Sequence, residues 1–170
     1  VLGLGKLPVY QDEQFRYLTE KLNGYITGAY VYNKMGLTEQ VATTITIATP
    51  NPVRRFRFKN LDIECVKAYC MVYPDESLVP YLRLLDAIKD MKRIPGTTGQ
   101  DIYNRVKSQY FNGYSLPELE KIVSLAKSYP PRVRKVVADI LGDIRQTVLQ
   151  TEMAKTILPT TRFNLDYKTA

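Results

Sequence analysis

Two apolar periods divide this chain. Between Val41 and Ala48 the repeat is two: Val41, Thr43, Ile45 and Ile47 alternate with Ala42, Thr44, Thr46 and Ala48. β-Branched side chains are frequent there, as in a strand with one buried face. From Ser77 onward the repeat lengthens, and Leu78, Leu82, Leu85, Ile88 and Met91 form one stripe, as an amphipathic helix requires. A chain that gathers its strand-forming residues in one stretch and its helix-forming residues in another belongs to the α+β class.

Before the strand region, Phe15, Leu18 and Leu22 recur at steps of three and four, with Asp12 and Glu13 early and Gly24 just beyond, which predicts a helix over about 11–23. A second, one- or two-turn helix is expected from Thr27-Gly28 to Met35-Gly36, closed by the glycine. Pro50-Asn51-Pro52 breaks the first strand. Phe56 and Phe58 resume alternation, Lys59-Asn60 can turn, with Asn60 tolerating positive φ, and Leu61, Ile63 and Cys65 continue on one face, so a β-hairpin is predicted. Ala68 to Tyr73 reads as a further, more buried strand ended by Pro74-Asp75.

The helical half is punctuated clearly. Pro80 fits the first turn of a helix that stops at Arg93-Ile94-Pro95-Gly96. Thr98 and Asp101 start a helix carrying Ile102 and Val106, and Asn112-Gly113 ends that unit. Ser115 and Glu118 form a capping box for a helix to about Lys127. Pro131 then opens the longest helix, whose stripe runs Val133, Val136, Val137, Ile140, Leu141, Ile144 and Val148. The expected plan is two short helices, a small, mostly antiparallel sheet of three to five strands, and about four following helices. At 170 residues and a usual domain size of roughly 100–150, this predicts one domain over 1–155. Residues 156–170 are expected to form an extended tail.

The chain contains no histidine, which removes the Ser-His-Asp triad, the Cys-His dyad, the histidine general base and the His-ligated zinc. Cys65 and Cys70, the two cysteines, are five apart in an apolar run and match neither a CxxC pair nor a four-ligand zinc site. They read as reduced core thiols. No cofactor is implied. No uninterrupted apolar stretch of about 18 residues and no signal-peptide pattern is present, so the expected setting is the cytoplasm, without a membrane. The chain opens at Val1 rather than Met, so a preceding N-terminal piece is expected.

A net charge of +7 favours polyanions, although solubility alone accounts equally well for it. Arg54, Arg55, Arg57 and Lys59 are the densest basic run. Alternation places Arg55, Arg57 and Lys59 opposite Phe56 and Phe58, either as a phosphate-contacting strip or as charges that discourage edge pairing. Arg132, Arg134 and Lys135 begin the last long helix, where the dipole disfavours cations. That mismatch points to an anionic partner. These seven residues are the candidate nucleic-acid contacts, acting electrostatically rather than as base readers.

Other constellations are weaker. Asp62 and Glu64 share a strand face and can hold Mg²⁺, but Glu64 precedes Lys67 by three positions, where the nuclease signature requires two. Asp86 and Asp90, four apart, read as the solvated side of a helix. Gly3-Leu4-Gly5-Lys6 lacks the Walker spacing and the following Ser or Thr. Tyr25, Tyr30, Tyr32, Tyr103, Tyr110 and Tyr114 can stack on bases or sit half-buried at a core rim.

Three stretches resemble the C-terminal domain of AbiEi-type antitoxins of bacterial abortive-infection systems. They are the run from Thr27 to Val41 with Thr44 to Thr49 (TGAYVYNKMGLTEQV, then TITIAT), Pro80 to Pro95 (PYLRLLDAIKDMKRIP) and Ser128 to Arg134 (SYPPRVR). The likeness spans about 27–144. It implies a non-enzymatic antitoxin and transcriptional regulator that opposes a nucleotidyltransferase-like toxin without a stable complex. It also implies an N-terminal winged helix, absent from this chain, that binds promoter DNA. The alternatives are a protein-interaction module with no nucleic-acid role and a metal-dependent nuclease.

Overall fold

The computed structural model describes residues 9–52, 55–70 and 75–168. In chain order the elements are α1 (Val9–Leu22), β1 (Tyr25–Thr27), α2 (Ala29–Lys34), β2 (Thr44–Thr49), β3 (Phe56–Phe58), β4 (Leu61–Lys67), α3 (Val79–Asp90) and α4 (Gly99–Gln109). A 3-10 turn (Phe111–Gly113), α5 (Leu116–Ala126), α6 (Pro131–Asp143) and α7 (Thr147–Ala154) complete the fold. This is the expected α+β arrangement. The sheet has four strands in the order β1-β2-β4-β3. β1 and β3 pair antiparallel with their neighbours, and β2 runs parallel to β4.

The sheet separates two cores. Ile26, Ile45, Ile47 and Ile63 face α1 and α2, where Phe15, Leu18 and Val31 cover them. Tyr25, Ala48 and Val66 face the opposite way, into the larger core made by α3 to α7. Strand residues alternate between faces, so the two β-branched stretches serve both cores at once. Among the described residues, no helix is long and apolar enough to cross a membrane.

The sequence-based expectations need five corrections. β1 lies where a helix was expected to open; three residues are too few to show a period, and pairing with Ala48, Ile47 and Thr46 supplies what the local sequence does not. Gly24 permits that pairing, because a Cβ there would lie 2.2 Å from the Ala48 carbonyl oxygen. β2 starts at Thr44 rather than Val41: Val41 is 77 % exposed, and the register with β4 begins at Thr44 opposite Asp62. In the β3–β4 hairpin the left-handed residue is Lys59, at φ 55, rather than Asn60. Ala68 to Cys70 form no strand, and the rest of that expected strand, 71–73, lies outside the described residues.

The last correction concerns the long stripe. α6 ends at Asp143, and Arg145 adopts φ 63. The Gln146 amide reaches back to the Leu141 carbonyl at 2.8 Å and the Arg145 amide to Gly142 at 3.0 Å, the pair of bonds that closes a helix through a left-handed residue. Arginine in that role carries no breaker signal, so the helix predicted to reach Val148 is two helices, and Val148 is 80 % exposed. Residues 156–168 contain no helix or strand but are tied down. Tyr167 is buried, donates to Asp139 at 2.7 Å and stacks on Tyr103 at 5.1 Å between ring centres.

Candidate functional site

The basic residues singled out in the sequence fall on two separate elements. β3 packs on β4 at one sheet edge, whereas α6 packs among α3, α4, α5 and α7. Arg54 lies outside the described residues. Arg57 projects from β3 between the half-buried Phe56 and Phe58, as alternation requires, and Arg55 stands just before the strand. Their guanidinium groups are well exposed, at 75 % and 72 % for the Arg55 and Arg57 side chains. Each nevertheless meets a carboxylate on β4: Arg55 donates to Glu64 at 3.1 Å, and Arg57 approaches Asp62 at 4.0 Å. Lys59 holds its ammonium 5.7 Å from the centre of the Phe58 ring.

Register explains this pattern. Asp62 and Glu64 lie on the same sheet face as Arg57, so Arg55 and Arg57 each have a carboxylate neighbour. Such exposed pairs contribute only about 0–1 kcal/mol each, and their outward N–H groups stay open to a phosphate. Asp62 and Glu64, the pair weighed for Mg²⁺, are thus both engaged by arginines. Among the described residues, no group of three His, Cys, Asp or Glu side chains is close enough to hold a metal ion.

The α6 cations have internal partners. Arg132 donates to Asp166 at 3.4 Å, and Lys135 to Asp139 at 2.9 Å. Arg134 donates through Nε to the Tyr129 carbonyl at 3.0 Å and through Nη1 to that of Thr156. The anion that offsets the unfavourable helix end is supplied by this chain: Asp166, which also pairs with Lys92 at 2.7 Å. Hydrogen bonds to Lys92 hold its carboxyl below the ordinary aspartate range.

The least exposed polar site was missed in the sequence. Asp86, expected on a solvated helix side, is 1 % exposed. Tyr25 and Thr27 of β1 donate to its Oδ2 at 2.7 and 2.8 Å, and Tyr129 donates to Oδ1 at 2.8 Å. Lys89 stands 3.9 Å away. Burial pushes the Asp86 carboxyl above its usual range, against the opposing pull of Lys89 and the three hydroxyls. Burial and the Asp86 charge push Tyr25 and Tyr129 far above the ordinary phenol value. No local signal marks Asp86: Arg83, Lys89 and Asp90 fall on the same helical face, and its burial comes from β1 and Tyr129.

The same chemistry recurs nearby. Tyr32 donates to Asp90 at 2.7 Å and Tyr103 to Asp143 at 2.6 Å. Tyr25, Tyr32 and Tyr103, weighed as base-stacking groups, are therefore buried with their hydroxyls engaged. Tyr110 donates to the Met35 carbonyl at 2.8 Å. A buried carboxylate that accepts from three hydroxyls ties together the elements that carry them. No protein-family model, no curated protein and no solved structure matches this chain.

Proposed function

We propose that this chain is a C-terminal, antitoxin-like domain of an abortive-infection toxin–antitoxin pair, acting in the cytoplasm by binding rather than by catalysis. One observation carries the reading. The three stretches that resemble AbiEi-type antitoxins meet at a single carboxylate: Thr27 from the first and Tyr129 from the third both donate to Asp86 of the second. The convergence places the three stretches in one folded unit, which is what a single domain of that family requires.

On this reading the toxin opposed is nucleotidyltransferase-like, and promoter DNA is contacted through a winged helix preceding this region. Arg55, Arg57 and Lys59 add a weak, salt-sensitive contact to phosphates. Arg132, Arg134 and Lys135 contribute chiefly to the fold, through Asp166, Asp139 and the Tyr129 and Thr156 carbonyls.

The test is co-expression of this chain with a nucleotidyltransferase-like toxin of an abortive-infection operon in cells that the toxin arrests. Restored growth supports the reading, and continued arrest despite soluble, folded protein overturns it. Duplex binding at two salt concentrations, with Arg55→Glu/Arg57→Glu as the comparison, separates the accessory DNA contact from a purely protein-level role.

A further inference from the structure

A cavity of about 380 Å³ opens between α1, α2 and the start of α3, closed on its far side by the chain around the 3-10 turn. Its walls include four aromatic rings, those of Phe15, Tyr30, Tyr110 and Tyr114. The charged groups lining it are Lys34 and Arg83, and no carboxylate is among its lining residues. The size is at the lower end of the ~300–1,000 Å³ usual for small-molecule sites. The neighbouring cavity, which shares Arg83, is instead lined also by Glu20 and Glu76, so the purely cationic character belongs to the first alone.

Among the described residues, neither cation forms an ion pair. Arg83 is half-buried and donates Nε to the Ile26 carbonyl at 2.8 Å; among the described residues it forms no ion pair. Burial lowers its pKa, against the opposing pull of Tyr25 and Asp86. Lys34 lies 4.6 Å from the centre of the Tyr30 ring and likewise has no ion pair among the described residues. The Tyr30 hydroxyl is buried and has no hydrogen-bond partner among the described residues. Long-range bonds hold the walls before any ligand arrives: Tyr110 is fixed to Met35, and Arg83 to Ile26. Pre-formed walls lower the ordering cost of binding.

We propose that this cavity binds a small aromatic anion, a planar ring bearing a phosphate or carboxylate, with the ring among the Phe15, Tyr30, Tyr110 and Tyr114 side chains and the anionic group toward Arg83 and Lys34. Aromatic walls favour stacking, and a guanidinium matches either oxyanion through paired N–H donors. A neutral ring leaves the cations unpaired, and a bare phosphate leaves the rings uncovered. The inference does not rest on the antitoxin reading.

Calorimetric titration of the full chain tests it, with AMP and UMP as ring phosphates and indole-3-acetate as a ring carboxylate. Adenosine, indole and inorganic phosphate serve as the half-ligands. Saturable binding of at least one aromatic anion, with its half-ligands about tenfold weaker or worse, is the expected result; which anion binds identifies the source. Lys34→Gln, at an exposed position, should weaken that binding several-fold with an unchanged melting temperature, and Arg83→Gln more strongly. Lys155→Gln, away from the cavity, should leave it unchanged. Absence of saturable binding by all three anions, equal binding of the neutral half-ligands, or indifference to Lys34→Gln overturns the assignment.

Discussion

Tyr129 and Asp86, 43 positions apart, share a 2.8 Å hydrogen bond in a site closed to solvent. Because Tyr25 and Thr27 donate to the same carboxylate, β1, α3 and the link into α6 are fastened at one point. Removing the acceptor strands three hydroxyls. Asp86→Ala is expected to cost about 3–5 kcal/mol, the usual range for breaking a buried charged network, and Tyr129→Phe about 1.5–3 kcal/mol. Urea denaturation checks both, and losses below about 1 kcal/mol for both variants would mean that the network does not fasten the fold.

The titration of Asp86 has a definite sign. The folded carboxyl keeps its proton to higher pH than the unfolded one, so its contribution to stability is fully present below the ordinary aspartate value of about 3.9 and is lost as pH rises through the folded pKa. The stability difference between the native chain and Asp86→Asn should therefore become less favourable to the native chain from about pH 4 upward, then level off. A difference independent of pH across this range would contradict the assignment.

Alkaline pH acts on the tyrosines in the same sense. Burial holds Tyr25, Tyr32 and Tyr129 well above the phenol value of 10.0, so the stability they provide is complete below about pH 10 and declines above it. Tyrosinate absorbance should show these three ionising together with loss of helical circular dichroism. Ionisation of all tyrosines in one step without unfolding would be the opposite result.

Arg145 holds a left-handed backbone at φ 63 with an ordinary side chain. That conformation costs an L-residue about 1–2 kcal/mol, part of which glycine returns as unfolded-state entropy. Arg145→Gly should stabilise the chain by up to about 1 kcal/mol, read as a raised melting temperature. Arg145→Val should do the reverse, since a β-branched residue is least tolerant there.

Tyr167 secures the last segment through its bond to Asp139 and its stacking on Tyr103. Tyr167→Ala is expected to cost about 3–5 kcal/mol and to expose residues 156–168 to limited proteolysis. Tyr167→Phe, which keeps the ring, should cost about 1.5–3 kcal/mol and leave the segment protected. Equal protection of all three proteins would show that the docking lies elsewhere.

Local patterns were enough wherever one short stretch carries its own signal. The capping box of Ser115 and Glu118 forms as read, with the Ser115 amide 2.8 Å from Glu118, and Thr98 caps α4 by accepting from Asp101. Of the first two apolar stripes, Phe15, Leu18, Leu82, Leu85, Ile88 and Met91 are buried and Leu22 and Leu78 half-buried, and the β3–β4 hairpin lies between its two runs. Of the site residues, the outward position of Arg57 followed from alternation alone.

What a residue meets across the chain was decided by the tertiary structure. Asp86 became a buried acceptor because β1 and the Tyr129 link arrive from opposite directions. Arg55 and Arg57 acquired carboxylates through the register with β4, and Arg132 acquired Asp166 from a segment that has no periodicity. Helix caps and apolar stripes depend on neighbours three or four positions away, so sequence alone determines them. Hydrogen bonds spanning tens of residues depend on which surfaces the two cores bring together, a choice made by the packing of the whole chain.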